Sequence, residues 1–406
     1  MSIQERYRGA NRRFRPSSVL LALSALLVWT VVLLANPSPA DASAGRQLGN
    51  LVVIAYNDLG MHCMNEDFSE ICILPPANTL RATVIDRSES DPNIVTEGVT
   101  LEYSIPGNTV SHTKTNFWTN AQALFGVALP PDIGLTGKGL TGTMSVTADR
   151  DWIAQFIPVT PLTDTMINDP YQLAQVVLKR QGVIQDVTQN VIPVSWEIRC
   201  DKCHRPSKGM SVAMDILVKH DRLHGTNLVN QKPVLCASCH ADPALGAPGV
   251  QGVKTMSAAM HGAHAKRFFP STTRNPCYNC HPGNQAQCLR DVHLSAGLSC
   301  ITCHGTMRTL GNPARVPWAD EPKCGSCHHV SGHQYEQPGK LYRDSVGHSG
   351  VKCIVCHNSP HAITPTVTAR DNLQSIRLQG HEGPIDTCSV CHRLQPTEPF
   401  FHRVND

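Results

Sequence analysis

The sequence predicts an N-terminal all-β domain, an antiparallel sandwich or a small barrel, followed by a domain of short helices and loops with little regular structure. Three observations support this prediction. Residues 45–199 contain β-type runs separated by turn-forming segments, residues 200–406 repeat one cysteine motif seven times, and only 5% of the 406 residues are aromatic. We therefore expect two domains, at 45–199 and 200–406.

Residues 1–44 are typical of an export signal. Five arginines precede an apolar run at 19–35, and small residues near position 42 match a cleavage site. An uncleaved membrane anchor is the alternative, because this run is near the lower length limit for a span. Loss of 1–44 removes five Arg, Glu5 and Asp41, so the formal charge falls from +3 to zero. A chain without a basic excess disfavours a nucleic-acid partner.

Seven runs rich in β-branched and aromatic residues predict the strands of the first domain. They are residues 51–56, 79–85, 100–105, 143–147, 152–157, 175–179 and 190–198. Proline- and glycine-containing turns separate several of them, which favours an antiparallel sandwich or small barrel. The last run leads directly into Cys200, so we expect the β-domain to pack against the first copy of the motif.

The repeated motif of the second domain is Cys-x-x-Cys-His, and its copies use 14 of the 17 cysteines. This spacing is the attachment site of haem c, in which two cysteines bind the porphyrin and the histidine is the proximal iron ligand. We number the sites I to VII in chain order. Their cysteines are Cys200 and Cys203, Cys236 and Cys239, Cys277 and Cys280, Cys300 and Cys303, Cys324 and Cys327, Cys353 and Cys356, and Cys388 and Cys391. Their proximal histidines are His204, His240, His281, His304, His328, His357 and His392.

Other uses of paired cysteines fit this pattern less well. Zinc ribbons do not require a histidine after every second cysteine, and the βαβ context of a thioredoxin-type motif is missing. Seven covalent haems in about 207 residues would lie on the order of 18 Å apart on average. Such crowding predicts a continuous path for electrons.

The second domain also contains eleven histidines outside the motifs, more than the seven that a distal ligand for every iron would need. Imidazole in both axial positions favours electron transfer over substrate binding. Residues 210–224 and 256–264 predict short helices that each supply at least one distal ligand. The candidates are His220, His224, His261, His264, His293, His329, His333, His348, His361, His381 and His402.

Three cysteines lie outside the motifs. Cys63 and Cys72 are candidates for a disulfide, and Cys288 is then a free, buried thiol. His62 and Met64 flank Cys63, so copper or a terminal haem ligand is an alternative to a turn closed by a disulfide. His112 is expected to be an exposed loop residue.

The seven motifs make residues 200–406 resemble the multihaem cytochromes c of metal-reducing and other anaerobically respiring bacteria. The resemblance implies electron transfer in the periplasm, at the outer membrane surface or outside the cell. The implied donors are other cytochromes or a quinol-linked protein, and the implied acceptors are metals or further cytochromes. Some members of the family polymerise into filaments, for which His62 or His112 would be candidate ligands to a haem of the next subunit.

An enzyme is the second hypothesis, since some multihaem proteins reduce nitrite, hydroxylamine or tetrathionate at a haem with an open position. Some of those enzymes carry Cys-x-x-Cys-Lys at that haem, and this sequence does not contain it. The sequence therefore favours an electron-transfer protein. A third hypothesis gives the β-domain the task of docking a partner or surface.

Overall fold

The protein is described here from a computed structural model, which covers residues 48–267, 276–397 and 399–402. The predicted export signal lies outside these residues. The prediction of an antiparallel β-rich region followed by helices and loops is confirmed.

The strands are β1 (Leu51–Tyr56), β2 (His62–Cys63), β3 (Ile71–Cys72), β4 (Asn78–Asp86), β5 (Asn93–Ile94), β6 (Thr100–Ser104), β7 (Thr141–Thr143), β8 (Ser145–Val146), β9 (Trp152–Ile157), β10 (Tyr171–Arg180), β11 (Val183–Ser195) and β12 (Val234–Leu235). The helices are α1 (Phe117–Phe125), α2 (Val212–His224), α3 (Met256–His264), α4 (Val292–Ser295), α5 (Cys300–His304), α6 (Met307–Leu310), α7 (Cys353–His357) and α8 (Ala369–Gln379).

The strands form two larger sheets that share one apolar core. The first has the order β1-β4-β9-β8, with β5 also pairing with β4, and its pairings are antiparallel. The second has the order β2-β11-β10-β6-β7, in which β2 runs parallel to β11. Leu80 and Val84 of the first sheet and Leu101 and Val176 of the second are buried in the same cluster. The two sheets therefore stabilise each other by burying apolar side chains between them.

Several features of this region depart from the predicted strands. The runs predicted at 175–179 and 190–198 belong to β10 (Tyr171–Arg180) and β11 (Val183–Ser195), which begin earlier, and β11 ends before 198. The short strands β2, β3 and β5 were not predicted. The run at 143–147 is divided at Met144, because β7 pairs with β6 in one sheet whereas β8 pairs with β9 in the other. Helix α1 was not predicted. Its residues Phe117, Ala121 and Leu124 are buried at helical spacing, so a single stripe of apolar side chains attaches it to the core.

β1 is an edge strand whose outer backbone groups are bound by side chains. The Ala55 N–H donates to Gln374 Oε1 and the Ala55 carbonyl accepts from Gln374 Nε2, both at 2.8 Å. The Val53 N–H donates to Asp186 Oδ2 at 3.0 Å, and its carbonyl accepts from Arg377 at 3.2 Å. Gln374 and Arg377 lie on α8, so this helix occupies the edge where a further strand would pair.

The strand-rich and motif-bearing regions are packed against each other. β1 is buried on both faces: Val53 belongs to the inter-sheet core, whereas Ile54 packs with Ile354 and Val390 beside sites VI and VII. At another point, β12 pairs in parallel with β3, which brings site II next to Cys72. The strand-rich region thus supports both site II and sites VI and VII.

Apolar burial is uneven along the chain. Among the described residues, 34 buried apolar side chains precede residue 200 and 10 follow it, and none of those 10 is aromatic. Residues after 200 therefore bury too little of their own apolar surface to account for a folded domain of this size. None of the described helices has the length and apolar composition required to cross a membrane.

Candidate haem sites

Each Cys-x-x-Cys-His motif folds into one helical turn. In sites I, III and VII, for example, the histidine N–H donates to the carbonyl of the first cysteine at 2.9, 2.9 and 2.8 Å. Sites IV and VI form the short helices α5 and α7. Residues three and four apart lie on one face of a helical turn. Both thiols and the imidazole of each motif therefore face the same side, as attachment of one haem requires.

Every proximal histidine faces one histidine from outside the motifs. Their ring centroids lie 5.8–6.4 Å apart in all seven cases. The pairs in order of site are His204–His264, His240–His220, His281–His261, His304–His361, His328–His293, His357–His402 and His392–His348.

This separation fits a metal ion held between two imidazoles. Metal–imidazole bonds are about 2.0–2.1 Å long, as in zinc sites, and each ring centroid lies roughly 1 Å beyond its nitrogen, so two rings on one ion are about 6 Å apart. The angles between the paired rings vary from 13° to 83°. Such variation is compatible with axial ligation, because each ring can rotate about its bond to the metal.

Two further histidine pairs are too close for this arrangement. The centroids of His220 and His224 are 4.8 Å apart, and those of His333 and His402 are 4.9 Å apart. Within the described residues, four of the eleven candidate distal ligands do not face a proximal histidine at the separation seen in the seven pairs. They are His224, His329, His333 and His381. Both predicted helices carry facing histidines: α2 presents His220, whereas α3 presents both His261 and His264.

Hydrogen bonds at Nδ1 orient many of these rings. His261 and His264 each donate to the carbonyl four residues earlier on α3, at 2.8 and 2.7 Å. His220 donates to Thr226 Oγ1 at 2.8 Å, since that hydroxyl donates in turn to Asp221. A partner at Nδ1 fixes the tautomer and leaves Nε2 to bind a metal.

Burial keeps several proximal imidazoles neutral. Removal from water lowers the pKa of His281, His304 and His357 to about 4 in each case, and neighbouring histidines add to the shift. The neutral form is the one that binds iron.

Site I lies against the strand-rich region, where the sequence predicted contact with the first haem. A cavity beside Cys200 is lined by Trp196 and Ile198, which lead into the motif, and by Val212 and Ile216 of α2. These apolar side chains are suited to the face of a porphyrin, and the cavity extends to polar residues at its rim.

The cysteines outside the motifs do not form the disulfide considered above. Cys63 and Cys72 are both free, and Cys72 is buried. Cys288 is partly buried rather than fully enclosed, and its Sγ lies 3.7 Å from Nδ1 of His361. Cys288 therefore contacts a facing histidine, a relationship that no spacing in the sequence indicated.

The two histidines of the strand-rich region differ in accessibility. His62 is buried, and its Nε2 bonds to the Pro75 carbonyl at 2.7 Å. His112 lies in a loop, as expected, with 36% of its side chain exposed, and its Nδ1 bonds to Asp132 Oδ2 at 2.9 Å. Among the described residues, no three His, Cys, Asp or Glu side chains converge as a metal site made by protein alone.

Comparisons of this chain with protein-family models, with curated proteins and with solved structures found no match.

Proposed function

We propose that this protein is an exported heptahaem cytochrome c that carries electrons along a row of closely spaced haems with two histidine ligands each. The seven histidine pairs are the observation that carries the proposal, since each proximal histidine has a partner at the distance that iron ligation needs. The seven motif turns, which place two thiols beside each proximal imidazole, support it independently.

Each site has a defined set of tasks for its residues. The two thiols of a motif would hold one haem through thioether bonds to its two vinyl groups. The facing imidazoles would bind its iron, and the Nδ1 partners described above would keep several of these rings oriented. When bound, haem iron supplies one-electron chemistry by alternating between the ferric and ferrous states.

Covalent haem also explains the sparse apolar core after residue 200. Only 5% of the residues are aromatic, so few large apolar side chains are available to form a core. Seven macrocycles would supply the apolar surface that the side chains after residue 200 lack. We therefore expect the motif-bearing region to fold only with haem attached, as small metal-dependent domains do.

The proposed location is the periplasm, the outer membrane surface or the cell exterior. Haem c is attached after export, and residues 1–44 have the composition of an export signal. The proposed donor is another cytochrome or a quinol-linked protein, and the proposed acceptor is a metal or a further cytochrome.

Two alternatives are disfavoured by the pairing. An enzyme with an open haem position would leave one proximal histidine without a facing imidazole, yet all seven have one. A filament that borrows a distal ligand from the next subunit has no site that needs it, because all seven proximal histidines face an imidazole of their own chain, and His62 is buried with its Nε2 bonded to Pro75.

Intact-mass measurement on protein matured in a host that attaches haem c tests the proposal. We expect seven covalent haems, and six in the variant Cys236→Ala/Cys239→Ala. Carbon monoxide added to the reduced protein should leave the spectrum unchanged, because no iron is open. A mass without haem would overturn the proposal, whereas one equivalent of bound carbon monoxide together with nitrite turnover would support the enzyme.

A further inference from the structure

Sites I and II are joined by a single helix, α2. Its Asp215 accepts a hydrogen bond from His204 of site I at 2.9 Å. Its His220 faces His240 of site II, with ring centroids 6.4 Å apart. Asp215 and His220 are five residues apart, which is roughly 7.5 Å along a helix. Sites I and II are therefore neighbours in space.

Sites I and III are joined by the next helix, α3. His264 faces site I and His261 faces site III, and residues three apart on a helix have Cβ atoms about 5–6 Å apart. Beside them, the Lys202 ammonium of the first motif donates to Asn279 Oδ1 of the third motif at 3.2 Å. Site I thus contacts both II and III, although it precedes both in sequence.

Sites III, IV and V follow one another. The side chain of Cys277 in site III interacts directly with that of Cys300 in site IV. The distal candidate of site IV, His361, accepts a backbone hydrogen bond from Arg290 at 3.0 Å. Three residues later, His293 faces site V.

Sites V, VI and VII complete the series. The Tyr335 ring lies 6.2 Å from His328 of site V and 6.2 Å from His402, which faces site VI. The Cys356 carbonyl of site VI accepts from the Ile385 N–H at 2.9 Å, on the segment that leads into site VII. Ile354, Val355 and Val390 of the two motifs pack in one apolar cluster.

Resting on the proposed function, we infer that the sites form one path in the spatial order II–I–III–IV–V–VI–VII, so that electrons enter and leave this chain at sites II and VII. The order along the chain and the order in space differ only at the first two sites. The interval between Cys236 and Cys277 contains α3, which presents His264 to site I and His261 to site III. Redox partners are therefore expected to dock near motif II and motif VII.

Anomalous diffraction at the iron absorption edge from crystals of the holoprotein tests the order directly. Each iron is assigned by its two histidines. We expect iron I to lie between irons II and III, with II and III farther from each other than either is from I. Iron II between I and III would overturn the inference while leaving seven haems, and thus the proposed function, intact.

A kinetic experiment tests the same order in solution. His381 is half-exposed and adjacent to motif VII, which makes it a site for attaching a ruthenium photoreductant once the other exposed histidines outside the seven pairs, His224, His329 and His333, are replaced by glutamine. The labelled variants Cys236→Ala/Cys239→Ala and Cys277→Ala/Cys280→Ala, which lack haem II and haem III, are first shown by mass to carry six haems. Haem reduction is then followed after a flash in the presence of a sacrificial donor.

Loss of a terminal haem and loss of an internal haem have different consequences. Without haem II, we expect all six remaining haems to be reduced in the fast phase. Without haem III, haems IV to VII should be reduced in the fast phase, and the reduction of haems I and II should be at least tenfold slower. This variant is the control that shows that a break in the path can be detected. A slow haem I in the variant that lacks haem II would overturn the inference.

Discussion

The imidazole of His204 donates its Nδ1–H to the carboxylate of Asp215 at 2.9 Å. The Lys219 ammonium binds the same carboxylate one turn further along α2, and hydrogen bonds from Lys219 and then from His204 lower the pKa of Asp215. In site II, by contrast, His240 donates to the neutral carbonyl of Lys254 at 2.8 Å. A charged acceptor increases the basicity of the imidazole more than a carbonyl does, so His204 should favour ferric iron more strongly than His240 does.

The substitution Asp215→Asn should raise the midpoint potential of site I. The amide oxygen still accepts from Nδ1, so ring orientation is kept while the charge is lost. Each tenfold loss of preference for ferric over ferrous iron corresponds to about 59 mV. A spectroelectrochemical titration should therefore show one of seven centres moving to higher potential by tens of millivolts.

Asp201→Asn is the matched control for that shift. Asp201 follows Cys200 and pairs with Arg199 rather than with an imidazole. The substitution removes one negative charge near site I without contacting a histidine ligand, so the shift of the midpoint potential should be clearly smaller than for Asp215→Asn. Equal shifts in both variants would mean that charge alone, and not the hydrogen bond, sets the potential.

Removal of a facing histidine should open one iron to external ligands. We expect reduced His264→Ala to bind one equivalent of carbon monoxide at site I, because alanine suits the helix and supplies no ligand. His224→Ala, at the end of the neighbouring helix, should bind none, because His220 is the residue at the ligation distance from His240. Optical titration of both proteins checks this, and carbon monoxide binding to His224→Ala would reassign the ligand of site II.

Arg290 and Asp371 form a bidentate ion pair that is almost completely buried, with distances of 2.7 and 3.0 Å and side-chain exposures of 1% and 2%. Arg290→Ala would leave the carboxylate buried and unpaired, which should destabilise the holoprotein by about 3–5 kcal/mol. Arg370→Ala breaks the more exposed pair with Asp169 and should cost less than about 1 kcal/mol. Urea unfolding followed by circular dichroism measures both.

A double variant separates loss of the ion pair from loss of packing. Arg290→Met/Asp371→Leu removes both charges and fills much of the same volume, so most of the stability should return. Comparable losses in the single and double variants would contradict the explanation based on an unpaired charge.

His62 should make the stability of the protein depend on pH. Burial lowers its pKa to about 4 in the folded protein, against an ordinary value of 6.5, so the unfolded chain binds the proton more tightly. The stability is complete above pH 6.5 and is lost as the pH falls from there through 4, by about 3 kcal/mol in total. Chemical unfolding between pH 4 and 7 measures the slope.

His62→Gln provides the comparison, since an amide keeps a donor near the Pro75 carbonyl and does not titrate. Acidification should destabilise the wild-type protein more than the variant. The free energy of unfolding of the variant should therefore rise relative to that of the wild-type protein as the pH falls. Parallel pH profiles would show that His62 is not the titrating group.

Local patterns predicted much of the fold. The runs at 51–56 and 152–157 are strands with those bounds, and the helix expected to end before Gly225 does so, with this glycine in the left-handed conformation at φ 67°. These strands could be predicted because alternating or β-branched residues favour a strand through neighbours in sequence alone. The split at Met144 was not, because the choice of sheet depends on β6 and β9, which come from elsewhere in the chain.

The candidate site divides in the same way. The motifs were enough to predict the cysteine pairs and the proximal histidines, since the spacing itself points to the chemistry. The facing histidines are distant in sequence, by 45 residues for His357 and His402, so only the folded arrangement pairs them. Cys288 and Asp215 escaped notice for the same reason: each matters through one imidazole that it contacts in space.

The side chains along the rim of β1 have a consequence for how copies of this protein meet. An open rim presents backbone donors and acceptors to any extended chain and invites sheet-to-sheet joining between molecules. Here Gln374 forms hydrogen bonds with the N–H and carbonyl of Ala55, as a neighbouring strand would. Asp186 and Arg377 bind the N–H and carbonyl of Val53 in the same way. Aggregation by strand addition at this rim would first require α8 to detach, so association between molecules has to use other surfaces.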